Sequence, residues 1–179
     1  MLGYLKLTVP YWTFNINSMS INEKLTAALN DQITAELEAS MVYLQLSYIL
    51  DDLSLTGMSS WMKKQHLEEL DHAAAFSKHL LNRDYRPQIG DIAPPKLDAA
   101  TAIEAFEASL AHEQKITSMI RELADLSMSV KDHDSRPLID SFLQEQIEEE
   151  ATVKEILDRL RMADTGTGLL RMDAELGER

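Results

Sequence analysis

Apolar residues recur along this chain at alternating steps of three and four, the repeat of one face of an α-helix. Four such stripes can be traced. The first reads Leu25, Leu29, Ile33, Glu36, Ser40, Tyr43 and Leu50, and the second Met58, Met62, Gln65, Glu69, His72 and Phe76. The third reads Ile103, Phe106, Leu110, Glu113, Ile116, Ile120 and Leu123, and the fourth Leu138, Phe142, Gln146, Glu149, Val153, Ile156 and Leu160. Near its middle every stripe is interrupted by a carboxylate.

Glycine and proline set the ends of these elements. None occurs between Pro10 and Gly57, nor in 58–86, 96–136 or 138–165. Each window accommodates a helix of about 25–30 residues, 40 Å long or so at the α-helical rise. Ser20-Ile21-Asn22-Glu23 fits a capping box, so the first helix is expected to start at Ser20 and to end near Asp51-Asp52. A second helix is expected from Gly57 to about Asp84. Tyr85 to Asp98 contains Pro87, Gly90, Pro94 and Pro95 and cannot be helical throughout. That connection is long enough to run the length of a bundle. A third helix follows from about Ala99 to Val130, then a turn at Asp132–Ser135. Pro137 suits the first turn of a fourth helix that reaches about Ala163. Thr165-Gly166-Thr167-Gly168 breaks it, and Leu169 to Leu176 forms a short fifth helix. The expected fold class is all-α: a four-helix bundle with one long crossover between the second and third helices.

Composition agrees and removes several functions. In 179 residues there are only 6 Gly and 5 Pro, too few for the many turns of a sandwich or barrel. Cysteine is absent, which excludes disulfides, thiolate metal sites and a cysteine nucleophile, and suits a cytoplasmic location. A formal net charge of −13 makes nucleic acid a poor partner. No run of 18 apolar residues predicts a membrane span. Met1 to Ser18 is apolar and aromatic, but Lys6 and Pro10 interrupt it and no small-residue cleavage site follows, so it does not read as a signal peptide. Residues 1–19 are read as an N-terminal extension to a bundle domain at 20–179, with Met19 as the alternative start.

A carboxylate in an apolar core is unfavourable by several kcal/mol unless it is paired. Four at one level repel, so either some are protonated or a cation lies among them. No Lys or Arg stands on the four stripes. Carboxylates plus one imidazole, without thiolate, suit iron, manganese or zinc. Each motif alone is weak. A single Glu beside a stripe commonly swings out to water, Glu-x-x-His recurs on surface helices, and Glu148-Glu149-Glu150 reads as a solvated face. His66, His79, His112 and His133 read as surface or packing residues. The inference rests on coincidence: one carboxylate per helix, at mid-helix, on all four, with Glu69-x-x-His72 among them.

Four segments together resemble the ferritin family, over most of the chain from about Ser20 to Leu176. Q-I-T-A-E-L-E-A-S-M-V-Y is similar to the first ferritin helix, with Glu36 in the metal-ligand position and Tyr43 seven residues on. H-L-E-E-L-D-H supplies Glu69 and His72, A-H-E-Q-K-I supplies Glu113, and F-L-Q-E-Q-I-E-E-E supplies Gln146 and Glu149. The resemblance implies the ferritin-like fold and a homo-oligomeric shell of twenty-four subunits storing ferric mineral. It implies a ferroxidase centre with one iron on Glu36, Glu69 and His72 and a second on Glu69, Glu113 and Glu149. Gln146 would position dioxygen or water, Tyr43 would bond a bridging ligand or lend an electron, and the oxidant would be dioxygen or hydrogen peroxide. A third iron position is implied at Glu68, Glu145 and Glu148. Asp132, Asp134 and Asp140 are candidates for cation entry near three-fold pores.

Departures narrow the resemblance. Three residues after Glu149 stands Thr152, so the second iron lacks a histidine, unlike the symmetric di-iron pattern. Leu70 stands where bacterioferritins carry a haem-ligating methionine, so no haem is expected. The fifth-helix segment argues against the smaller twelve-subunit cages. The competing readings are a non-storing di-iron carboxylate enzyme or electron-transfer bundle, and a structural bundle with protonated core glutamates.

Overall fold

The computed structural model describes residues 20–163 and 166–178. The expected extension at 1–19, the alternative start at Met19 and Thr165 lie outside the described residues. Five helices follow one another: α1 (Glu23–Asp52), α2 (Thr56–Asn82), α3 (Ala102–Ser129), α4 (Arg136–Met162) and α5 (Gly166–Gly177). α1 packs on α2, α3 on α4, and α1 on α3, with 83–101 crossing between the two pairs.

Three helix starts differ from expectation. α1 is capped not by Ser20 but by Asn22, whose side chain accepts from the Lys24 N–H at 2.9 Å. Ile21 is buried and its carbonyl accepts from the Tyr85 hydroxyl at 3.0 Å, so the chain is still outside the helix there. α3 starts at Ala102 instead of Ala99 because Thr101 is its cap. Thr101 Oγ1 accepts from Glu104 N at 3.2 Å, while Glu104 Oε2 reaches back to Ala100 N at 2.7 Å. This is a variant of the capping box, in which the glutamate takes the N–H of the residue before the cap instead of that of the cap itself. α5 starts at Gly166, ahead of the expected Leu169. The expected end of α4 holds, at Met162, but Gly166 and Gly168 lie inside α5, where Gly168 is so close to Ala163 that an added Cβ would meet it at 3.1 Å.

The scarcity of glycine is met at helix ends by Ser54, Asp84 and Lys131, all with φ near +60°. Glycine is indispensable at Gly57. A Cβ there would lie 1.8 Å from the Asp173 carbonyl oxygen of α5. Asp173 then supplies what the α2 N-terminus lacks, accepting from Met58 N at 2.8 Å.

The core is split in two. One apolar cluster, with Leu46, Leu50, Met58, Trp61, Phe106 and Leu160, fills the end near α5. Another, with Leu25, Leu29, Phe76, Leu80, Ile120 and Phe142, fills the opposite end. Between them lies a buried polar layer.

Candidate metal centre

Every helix of the bundle contributes to this layer at its midpoint. From α1 come Gln32 and Glu36, from α2 Gln65, Glu69 and His72, from α3 Glu113, and from α4 Gln146 and Glu149, all buried. The helical repeat that buries Leu29 and Ile33 also carries Glu36 inward, and the side chain is too short to reach water from there.

Three of these residues converge. Glu36, Glu69 and His72 each offer a ligand atom, and those atoms all lie within 4.8 Å of one another. Gln32 Nε2 donates to Glu36 Oε1 at 2.8 Å, while Glu36 Oε2 is buried with no hydrogen-bond donor. His72 Nδ1 lies 3.2 Å from Glu69 Oε2 and its Nε2 lies 3.3 Å from Glu145 Oε1. Both ring nitrogens therefore face acceptors, the geometry of a protonated imidazole. The edge of Phe142 closes the ring off, with centroids 5.1 Å apart.

Glu113 heads a second set. The Tyr43 hydroxyl donates to Glu113 Oε1 in a very short contact and itself accepts from Ser109 Oγ at 3.1 Å. Gln146 Nε2 donates to Glu113 Oε2 at 3.0 Å. Glu149 Oε2 accepts from Gln65 Nε2 at 3.1 Å, across from α2. The two sets sense one another electrostatically: the charge of Glu113 acts on Glu69, and those of Glu149 and Glu36 act on Glu113.

Burial pushes the Glu36 carboxyl up to about 8, and the Glu69 charge adds to the rise. Burial likewise carries Glu69 up to about 7, partly offset by the His72 hydrogen bond. Glu113 is carried up to about 7 by burial, against which the Tyr43 and Gln146 hydrogen bonds act. Burial by itself disfavours a charged His72, but the hydrogen bond and charge of Glu69, with Glu36 and Glu145 behind it, raise the ring to about 10. Tyr43 is held well above the ordinary phenol range by burial and by Glu113, so it stays a donor. Without a cation, this layer holds extra protons; a divalent ion replaces them, which is the fit expected of a hard-metal site.

The other expected residues divide. Glu145 reaches the cluster through His72, with its side chain 38% exposed. Glu148 is exposed and accepts from Gln144 of its own helix at 3.4 Å; Glu68 is half-buried. Among the described residues, Glu68, Glu145 and Glu148 do not form a close group like that of Glu36, Glu69 and His72. Asp132 is engaged by Arg83 Nη1 at 2.9 Å from both its oxygens, and Asp140 accepts from Arg136 at 2.9 Å. Asp134 lies 3.7 Å from Arg83. All three expected cation-entry carboxylates thus have an arginine beside them. His79 bonds Ser135 Oγ at 2.9 Å and His66 bonds Ser40 Oγ at 2.6 Å. His112 is half-buried and His133 exposed.

Gln32, Ser109 and Thr117 were not anticipated as site residues, nor was Gln65, although it stands on the second stripe. Gln32 carried a usable signal, a buried amide one turn before Glu36. Ser109 and Thr117 carried none, because each small hydroxyl reads equally well as a packing residue.

A long-helix bundle with a carboxylate and histidine layer at its waist defines a ferritin-like domain, and the family model of that description matches residues 26–163. The chain belongs to the ferritin family. It is 33% identical to the bacterial non-heme ferritin of Bacteroides fragilis over 89% of this chain and 99% of that one. It is 31% identical to the bacterial non-heme ferritin of Staphylococcus saprophyticus, over 89% of this chain and 96% of that one. In structure it is similar to an open pore ferritin from the hyperthermophilic archaeon Archaeoglobus fulgidus, with a TM-score of 0.86, 34% identity, and coverage of 89% and 99%. No described helix is long and apolar enough to cross a membrane.

Proposed function

We propose that this protein stores iron by oxidising Fe(II) at the polar layer and keeping the ferric product as mineral inside a shell of its own copies. The observation that carries this reading is the convergence of Glu36, Glu69 and His72 between two apolar clusters, with the charge of Glu113 acting on Glu69 and that of Glu149 acting on Glu113.

On this reading one Fe(II) is held by Glu36, Glu69 and His72. A second is held by Glu69, Glu113 and Glu149, with Glu69 shared. Each iron gives up one electron, and dioxygen takes both together with two protons to leave as hydrogen peroxide. His72 loses its proton when it becomes a ligand, and the carboxylates lose theirs, so the layer can supply protons as the metal enters. Tyr43 holds Glu113 in place through its donated hydrogen bond, and Gln146 presents its amide beside the same carboxylate. Oxygen ligands favour the harder ferric ion, which drives the oxidation. A second position without histidine releases its product more readily than the first.

The third iron position at Glu68, Glu145 and Glu148 belongs to the same proposal, supported by the contact of Glu145 with His72. So do the twenty-four-subunit shell, the cytoplasmic location and the absence of haem. The last is supported by Leu70 in place of a ligating methionine.

Titrating the metal-free protein with Fe(II) in air and counting soluble Fe(III) per chain tests the reading. Uptake far beyond the ~2 irons of a di-iron centre supports storage. Uptake that stops near that number points to the non-storing di-iron alternative, and no uptake at all refutes both.

A further inference from the structure

Gln146 serves several oxygens with one amide nitrogen: Nε2 lies 3.0 Å from Glu113 Oε2, 3.2 Å from the Glu113 carbonyl and 3.2 Å from Thr117 Oγ1. The two ends of an amide have nearly the same shape, one donating and one accepting, and a half-turn exchanges them. Packing does not forbid that half-turn. A cavity of about 330 Å³ between α3 and α4 opens onto Gln146, lined also by Thr117, Arg121, Leu143, Glu150 and Lys154. The hydrogen bonds must choose the end.

The two Glu113 oxygens favour the donor end, and Thr117 secures it from the other side. Its hydroxyl has one hydrogen, which it donates to Glu150 Oε1 at 2.9 Å. Only lone pairs remain toward Gln146, so only the NH2 end of the amide satisfies them. Glu150 is itself held by Lys154, whose Nζ donates to Oε2 at 2.7 Å one turn further along α4. Lys154 is about half exposed, whereas Thr117 is 3% exposed, so the chain runs from the surface to the polar layer.

We propose that Thr117, oriented by the Glu150–Lys154 pair, is a positioning residue that keeps the donor end of Gln146 on Glu113. This rests on the two-iron reading of the site and deepens it. With the amide reversed, a carbonyl oxygen would face the Glu113 carboxylate and turn it away. The second metal position depends on Glu113, while the first, on Glu36, Glu69 and His72, does not. The defect should therefore be confined to one of the two positions.

The test uses the assembled, metal-free protein and Co(II) as the probe. In wild type, two binding events per chain are expected in the visible spectrum. Thr117→Val keeps the shape and removes the hydroxyl; the second event should weaken by up to about tenfold, because the lost bond reaches the ligand Glu113 through Gln146. The first event and the melting temperature should hold, and Thr117→Ser should restore the second event. Glu150→Ala should shift it in the same direction by less. A metal-free crystal structure of Thr117→Val should show the Gln146 amide displaced from Glu113 or reversed. An unchanged amide, or an unchanged second event, overturns the proposal. Equal weakening of both events, or a loss that serine does not restore, assigns Thr117 a structural role only and also overturns it. A wild type with no second Co(II) event overturns the two-metal reading itself, and the crystal structure separates that failure from a failure of the positioning.

Discussion

Removing the charge of Glu36 should stabilise the metal-free protein, and increasingly so as pH rises. Its side chain is fully buried, with one oxygen on Gln32 and the other without a donor. Its carboxyl is raised from 4.5 to about 8, chiefly by burial. The folded state therefore keeps a proton that the unfolded chain releases above about pH 4.5, and stability falls as pH climbs between those values. Glu69 and Glu113, each raised to about 7, slope the same way. His72, raised to about 10, adds stability that is complete below pH 6.5 and is lost toward pH 10. A rise of about 3.5 at 1.36 kcal/mol each sets an upper bound of about 5 kcal/mol for Glu36 titrating alone. Protons shared among the four groups reduce the observable part. Glu36→Gln is isosteric with the protonated acid, so the variant and wild type should melt together at pH 5. At pH 8 the variant should be more stable by about 2–5 kcal/mol, some 5–15 °C in Tm for a chain of this size. Differential scanning calorimetry of chelator-treated protein at both pH values reads this directly. The same melting difference at pH 5 and pH 8, or a wild type that melts above Glu36→Gln at pH 8, would refute the reasoning.

Other consequences are as direct. Glu113→Ala should slow the initial oxidation of Fe(II) by at least about tenfold while the assembled particle elutes unchanged in size-exclusion chromatography; unaltered rapid oxidation would remove Glu113 from the site. Gly57→Ala puts a methyl group 1.8 Å from the Asp173 oxygen, so α5 should detach from the α2 N-terminus and become cleavable by protease ahead of the bundle; equal protection would show that α5 is held elsewhere. Asp173→Ala removes only the cap on Met58 and should lower stability by about 1 kcal/mol, measured by denaturant unfolding against wild type. Arg83→Ala strands Asp132 in a partly buried pair and should destabilise by about 3 kcal/mol, an effect that Asp132→Asn in the same background should reduce.

The fold was legible because its signal is periodic and long. Stripes of 19 to 26 residues, and a Pro-rich interval between the second and third, left little choice of architecture. The helix starts were less legible, since caps are local contests between neighbouring polar residues. Ser20 and Asn22 both qualify as caps for α1, and the burial of Ile21 decided between them. For α3 the expected start at Ala99 overlooks the Thr-x-x-Glu pair at Thr101 and Glu104, which sets the boundary three residues later. The segment around Gly166 and Gly168 does mark the end of α4, but both glycines belong to α5, where Gly168 gives a close approach to Ala163. That distinction depends on what lies opposite in space, which no local pattern carries.

The polar layer was legible for a different reason: it violates the rule that organises everything around it. Leu, Ile and Phe at the stripe positions are explained by burial alone, but Glu36, Glu69, Glu113 and Glu149 at the same register are destabilising in the metal-free chain. Their partners were not legible, because Gln32, Gln65, Ser109 and Thr117 are neutral groups whose burial is unremarkable one at a time. Yet those partners account for the geometry. Gln32 leaves one oxygen of Glu36 open, Tyr43 and Gln146 hold the two oxygens of Glu113, and Gln65 holds Glu149 from across the bundle. The hydrophobic clusters on either side are what make such an arrangement sustainable. With about thirteen or more buried apolar residues in each, the bundle tolerates a strained middle that becomes stabilising only when a cation occupies it. A protein with this balance should be held together by its ends and tuned by its waist, so substitutions in the apolar clusters should shift melting with and without metal alike. Substitutions in the polar layer should shift the two in opposite directions.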